Sequence, residues 1–305
     1  RVDHHSAFLD AHPLERSRGI TIFSDQASFH VDGDVWYWVD TPGHVDFSTE
    51  MERAVGSIDY AVLIVSAVEG VESHTVSVWS LLEKYRVPVF LFVNKLDRAG
   101  ADRIGAVREL RERLSPDILD VGSHFSESTP DEALAEPLAE RDEALLARYL
   151  SMGFEPKTWL QALKRMISAR IIFPLFSGSA LRDEGVTEFM SALSALTITD
   201  YEEKLSLPFS ARVTKVRRDP QGVRLTFLKL LQGRLRTRDA VLTPDGEEKA
   251  AEIRIYHGQK YELAEEAEAG DLCALTGLSV PRPGDRVGEG ASRGRFSVTH
   301  MLTAE

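Results

Sequence analysis

Three short polar clusters each follow an apolar run and carry residue types able to hold an anion or a nucleobase. They are Asp40-Thr41-Pro42-Gly43 after "VWYWV", Asn94-Lys95-Leu96-Asp97 after "VPVFLFV", and Ser177-Gly178-Ser179-Ala180 closing "IIFPLF". Guanine presents two adjacent donors, N1–H and N2–H, that adenine lacks, and one carboxylate at Asp97 can accept both in a charge-assisted pair. Asn94 can bond the base edge and tie neighbouring loops, the Lys95 stem can cover a ring face, and a backbone N–H near Ala180 can donate to guanine O6. An N-K-x-D pattern has odds of about 4 % of arising by chance in a chain this long, and its position after a strand lowers them further. "SGSA" by itself reads better as an ordinary small-residue loop. Asp40 can hold a metal's water, Gly43 can bring a backbone N–H close to an anion, and Thr41-Pro42 stiffens the turn; the same four residues also fit a surface turn with a helix cap.

Positioning these clusters requires strands that end at one edge of a sheet. The run Val35 to Val39 has the length and β-branched or aromatic content of a strand covered on both faces. "ITIFSDQASFHV" alternates, with Phe23, Ala27, Phe29 and Val31 on one face and Ser24, Gln26, Ser28 and His30 on the other, and Asp32-Gly33 is a tight-turn signal that pairs it antiparallel with "VWYWV". "YAVLIV" at Tyr60 and "VPVFLFV" at Val87 are separated by helix-length segments, an alternation that indicates a parallel, doubly wound sheet. In open α/β sheets of this kind, ligands bind beyond the carboxyl ends of the strands. Ile104, Val107, Leu110 and Leu114 fall on one helical face. An acidic insertion at about 116–170 carries two helical patterns, the first bent at Pro137, and "GVTEFMSALSAL" reads as a closing helix. After about Ser206, short alternating runs punctuated by Asp-Pro-Gln-Gly and Pro-Asp-Gly suggest a small all-β barrel.

Composition bounds the remainder. The chain has 305 residues, 43% hydrophobic and 28% charged, with no apolar run near the ~18 residues needed to span a bilayer. One cysteine, Cys273, excludes an internal disulfide and suits a reducing, cytoplasmic setting. The net charge of −12 argues against a surface built entirely for nucleic acid. Between Ser206 and Asp245, however, nine Lys/Arg face three aspartates, a basic strip able to meet RNA phosphates or simply to be the solvated side of alternating strands. His4, His5 and His12 lack the spacing and thiol partners of a zinc site.

Taken together, "RGIT" (Arg18 to Thr21), "DTPGH" (Asp40 to His44), "NKLD" (Asn94 to Asp97) and "GSA" (Gly178 to Ala180), followed by a barrel, resemble the translational GTPases over nearly the whole chain. Within that class the chain resembles the elongation factor G and tetracycline-resistance ribosomal-protection group; its insertion is short for elongation factor G and it has Arg238-Asp239 where elongation factor G usually has Gly-Asp, two points more similar to the tetracycline-resistance ribosomal-protection proteins. The resemblance implies an α/β, doubly wound P-loop-type GTPase domain at 1–200, a translation-factor barrel at 206–288 and a linker at 289–305. It implies GTP/GDP and Mg²⁺ as ligands, with Thr21 on Mg²⁺, Asp40 holding Mg²⁺ through water, Gly43 sensing the γ-phosphate and His44 orienting the attacking water. Asn94, Lys95, Asp97, Ser179 and Ala180 would bind the nucleotide. The ribosome, its RNA and proteins, would be the partner of a monomer without a membrane role. No G-x-x-x-x-G-K-[ST] occurs: Gly100 to Gly105 is followed by Ala106-Val107. In the family that loop precedes "RGIT", so the expectation is a fragment, inactive by itself, whose first strand and phosphate loop lie upstream. The rival expectation is a non-hydrolysing switch scaffold that lost the loop.

Overall fold

Turn chemistry decides the first element. Gly33 has a φ of +94°, open to glycine and costly for other residues, and it closes a two-residue turn between β1 (Asp25–Val31) and β2 (Asp34–Asp40). The strands pair antiparallel in register from Asp25↔Asp40 to Val31↔Asp34, as the alternation predicts. The computed structural model describes residue 21 and residues 24–31, 33–43, 48–258 and 260–294. His44, Arg18 to Ile20 of "RGIT", Phe23 and the histidines at 4, 5 and 12 lie outside the described residues. Two compact units result, one of residues up to Ser57 together with those from Thr199 on, the other of Ile58–Ile198.

The second unit is a parallel sheet, β3 (Ala61–Ser66), β4 (Val89–Asn94), β5 (Ile118–Asp120) and β8 (Phe173–Ser177), in the spatial order β3-β4-β8-β5. A minor hairpin, β6 (Phe125–Ser126) with β7 (Thr129–Pro130), follows β5 in the chain. Phe90, Leu91, Val93 and Leu175 are fully buried, and Phe189 of the helix Val186–Leu196 packs its ring on Phe92 and Phe176 at 5.1 Å each. Each such ring or aliphatic chain removed from water contributes about 1.5–3 kcal/mol. β5 was not legible as a strand, because "ILD" is too short to show a period. The helix Arg103–Arg113 buries Ala106 and Leu110 but leaves Ile104 79% exposed, so its inward face is turned from the expected one. Within the insertion, Pro137 does not bend the chain. It sits in the first turn of the helix Ala135–Ala139, where its missing N–H costs nothing, and the break comes at Asp142, whose side chain caps Glu143–Met152 by accepting from Ala144 and Leu145 N–H. The helix Pro156–Ser168 follows.

In the other unit a six-stranded sheet, ordered β15-β14-β17-β10-β9-β18, wraps one apolar core that includes Val213, Leu228, Leu230, Ile253, Cys273 and Leu275. Its strands are β9 (Ser210–Arg218), β10 (Arg224–Gln232), β14 (Ile253–His257), β15 (Lys260–Ala264), β17 (Leu272–Leu275) and β18 (Arg286–Gly288). Two antiparallel pairs complete it, β11 (Arg234–Arg236) with β16 (Glu266–Glu268) and β12 (Ala240–Thr243) with β13 (Gly246–Lys249). The β1–β2 hairpin belongs to this unit. The expectation that Val35 to Val39 is covered on both faces fails: Val35 is 50% exposed and the rest are half-buried. The ribbon forms a sheet of its own, and Gln26, Ser28 and Tyr37 share one of its sides. That side is fastened to the barrel by polar contacts. The Tyr37 hydroxyl donates to Asp271 (2.8 Å), Ser28 Oγ and His257 Nδ1 are hydrogen-bonded at 2.5 Å, the Gly258 N–H donates to the Gln26 carbonyl (3.0 Å), and Lys215 Nζ donates to the Ser24 carbonyl (2.6 Å).

Burial, then the neighbouring Asp271 carboxylate, pushes the Tyr37 hydroxyl well above the usual tyrosine range, so it remains a donor at every physiological pH. Tyr37→Phe is expected to lower the unfolding free energy by about 1.5–3 kcal/mol, the scale of a hydrogen bond to a charged acceptor. Urea denaturation followed by circular dichroism reads this, and an unchanged midpoint would show that the hairpin does not lean on this bond.

Candidate functional site

Parallel register brings four strand ends to one edge. Ser66 is level with Asn94, Val93 with Ser177, and Asp120 with Leu175, so the segments that follow β3, β4, β5 and β8 leave the sheet side by side. Backbone groups at such an edge lose their strand partners and must find others. Here the Ala67 N–H donates to the Asn94 carbonyl, the Leu96 N–H to the Gly178 carbonyl, the Gly178 N–H to the Val93 carbonyl, and the Asp102 N–H to the Ala67 carbonyl.

Side chains of the two motifs close the remaining gaps. Asn94 Oδ1 accepts from the Lys95 N–H (2.7 Å) and from the Ala180 N–H (2.9 Å), tying the end of β4 to the loop after β8. An amide oxygen used twice leaves Nδ2 to donate to a base edge. Ser179, fully buried, donates its hydroxyl to Asp97 Oδ1 at 2.6 Å. That bond, more than any neighbouring charge, holds the Asp97 carboxyl below the usual carboxylate range. Asp97 is therefore an ionised acceptor throughout the neutral range, with its second oxygen directed by the first. The structure thus brings together Asn94, Lys95, Asp97, Ser179 and Ala180.

Of the backbone donors near Ala180, the Ala180 N–H is engaged by Asn94, whereas the N–H of the exposed Leu181 has no acceptor among the described residues. Two partners were invisible in the sequence. Lys95, at a left-handed φ of +67°, directs its ammonium to Glu69 Oε2 at 3.1 Å, and that bond lowers the Glu69 carboxyl. Arg103 reaches Ser177, Asp120 and Ser123. Neither pairing follows from spacing, since Glu69 lies 26 residues from Lys95 and Arg103 lies 74 from Ser177.

Thr21, Asp40 and Gly43 belong to the hairpin's unit. Asp40 ends β2, Pro42 is buried and Gly43 is exposed, with open space where a Cβ would stand and no positive φ, so nothing in the fold requires glycine there. Asp40 and Thr21 are hard oxygen donors of the kind Mg²⁺ takes. Among the described residues no three His, Cys, Asp or Glu gather as a metal cage. Four of the nine cations of the basic strip are paired with carboxylates by the fold itself. β16 places Glu266 and Glu268 beside Arg234 (3.7 and 3.5 Å), Glu266 also pairs with Arg236, and Lys215 and Arg217 lie 3.4 and 3.7 Å from Asp25. Arg238 is exposed and has no ion pair among the described residues. No helix among the described residues is long and apolar enough to cross a membrane.

Known proteins match along the same lines. Residues 1–199 match the elongation factor Tu GTP binding domain and residues 208–290 match elongation factor G domain 2. The oxytetracycline resistance protein of Streptomyces rimosus is 35% identical over 94% of this chain and 47% of its own length. The tetracycline resistance protein TetP of Clostridium perfringens is 33% identical over 94% and 46%, and elongation factor G of Salinibacter ruber is 30% identical over 92% and 49%. The crystal structure of a Thermus thermophilus protein shares the fold, with a TM-score of 0.85 at 22% identity over 96% of this chain and 50% of its own. The chain thus spans about half the length of the curated relatives it matches.

Gly178 is the tightest point of the site. A Cβ there would lie 2.1 Å from the Glu184 carbonyl oxygen and 3.1 Å from the Phe92 ring. Gly178→Ala must displace backbone and is expected to cost about 1–3 kcal/mol, the usual penalty for overpacking. Chemical denaturation monitored by tryptophan fluorescence measures it, and a loss below experimental error would mean the loop has room that the structure does not show.

Proposed function

This chain belongs to the elongation factor Tu GTP-binding domain family, and on that premise we propose that the whole protein binds GTP and hydrolyses it to GDP on the ribosome, in the cytoplasm and as a monomer. The observation that carries the proposal is the pair of bonds Ser179–Asp97 and Asn94–Ala180, which present a fixed carboxylate and a fixed amide at the strand ends where a base would lie. Asp97 then accepts guanine N1–H and N2–H, and adenine, which offers neither, is rejected. Asp40 and Thr21 would hold Mg²⁺, which when bound neutralises charge developing on the transferring phosphoryl group. By the family resemblance, the Gly43 N–H would sense the γ-phosphate and His44 would orient the attacking water. Arg238 is the member of the basic strip best placed to reach RNA phosphate. The names and identities of the relatives, with the short insertion and Arg238-Asp239, favour a tetracycline-protection role over translocation.

Replacing Asp97 by alanine in the whole protein leaves two guanine donors without an acceptor. GTP affinity is expected to fall about 10²-fold or more, the scale of two charge-assisted hydrogen bonds lost together. Isothermal titration calorimetry with GTP and ATP decides it, and either unchanged GTP affinity or equal wild-type affinity for ATP would sink the assignment. His44→Ala, by contrast, should keep GTP affinity and lose ribosome-stimulated turnover by about 10²-fold, the scale of a positioned general base. Unimpaired phosphate release would give the water to another residue.

A further inference from the structure

Arg103 stands at the first position of the helix Arg103–Arg113, directly after the capping Asp102. A cation in the first turn opposes the helix macrodipole, so its presence there needs another source of stabilisation. The surroundings supply it. Nε donates to Ser177 Oγ at 2.8 Å, and Nη2 donates to Asp120 Oδ2 at 2.5 Å and to Ser123 Oγ at 3.1 Å; Ser123 Oγ in turn donates to Asp120 Oδ1 at 3.1 Å. The Arg103 side chain is about two-thirds covered, and its planar fork meets two separate loops at once.

Those loops differ in importance. Ser177 is the last residue of β8 and the immediate neighbour of Gly178-Ser179, the segment that sets the Asp97 carboxylate. Asp120 ends β5, the outermost strand of the sheet. The start of the helix is itself pinned, through the Asp102 N–H, to the Ala67 carbonyl after β3. Arg103 therefore carries the bracing of the base-reading loop from β3 across to β5, with no direct contact to the position a base would occupy.

We infer that Arg103 is a positioning residue for base selection: through Ser177 it holds the Gly178–Ala180 segment in the geometry that keeps Ser179 on Asp97. The inference rests on the guanine reading of the site. With Arg103 removed, Ser177 and Asp120 lose their shared donor, the segment gains freedom, and Asp97 spends part of its time misdirected. Discrimination among bases should suffer more than overall nucleotide binding, because contacts to the phosphates do not pass through this loop.

The test is the ratio of ATP to GTP dissociation constants in the whole protein, for wild type, Arg103→Ala, Arg103→Lys, Ser177→Ala and the double variant Arg103→Ala/Ser177→Ala, with thermal melts in parallel. Arg103→Ala is expected to reduce the ratio about tenfold, the scale of one charge-assisted hydrogen bond. Arg103→Lys, keeping the charge without the fork, should recover only part. The double variant should lose no more than the larger single loss, as expected of residues acting through one bond. A purely structural role would lower the melting temperature and leave the ratio unmoved, and that result overturns the inference. Absence of GTP preference in wild type would instead overturn the guanine reading itself. Should Arg103→Ala fail to fold, Ser177→Ala and Arg103→Lys carry the same comparison, and an unchanged ratio in both is equally fatal.

Discussion

A carboxylate that reads a base must stay ionised, exposed and fixed while attached to an irregular loop. Loops ordinarily cannot satisfy the last condition, because they lack the repeating backbone bonds of strands and helices. Here the condition is met by mutual satisfaction of two loops. Asn94 serves as backbone acceptor for both, Ser179 supplies the hydroxyl that directs Asp97, and the Gly178 carbonyl receives the Leu96 N–H. The parallel register makes this possible by delivering β4 and β8 to one edge as neighbours, and the aromatic packing of Phe189 on Phe92 and Phe176 secures that register from below. The buried Ser179 and the crowded Gly178 follow from the same requirement.

The other unit obeys a different constraint, the management of charge. Its strands carry many arginines and lysines, and antiparallel pairing brings carboxylates from distant positions beside them. Arg254, nearly buried, lies 3.1 Å from Asp219 and 2.8 Å from Glu252. Burial by itself would push the Asp219 carboxyl up, but the Val223 N–H and Arg254 together hold it below its ordinary value. A charged pair taken from water with its hydrogen bonds intact is strongly intolerant of losing one member. A linear tally of charge from Ser206 to Asp245 misses this, because Glu266, Glu268 and Asp25 lie outside the window.

Legibility followed the range of the interactions. The apolar runs that became β3, β4 and β8, the turn at Gly33, the closing helix and the barrel texture were all readable, because each is written in a local period or a turn residue. That Asn94 ties neighbouring loops was readable from residue chemistry and strand order, but its partner Ala180 and the Ser179–Asp97 bond were not. What escaped was nonlocal or too short: the three residues of β5, the partial exposure of Val35 in the hairpin, and the roles of Glu69 and Arg103. The Pro137 bend failed for a local reason, since a proline in the first turn of a helix is accommodated and not disruptive.

The central claim is that Asp97, set by Ser179, reads both donors on the guanine edge. Inosine triphosphate differs from GTP only in lacking the 2-amino group, so it removes one of the two bonds and leaves the phosphates and the other base contacts untouched. Calorimetric titration of the whole protein with both nucleotides is predicted to show inosine triphosphate binding about tenfold or more weakly, the worth of one charge-assisted hydrogen bond. Equal affinities for the two would contradict the account.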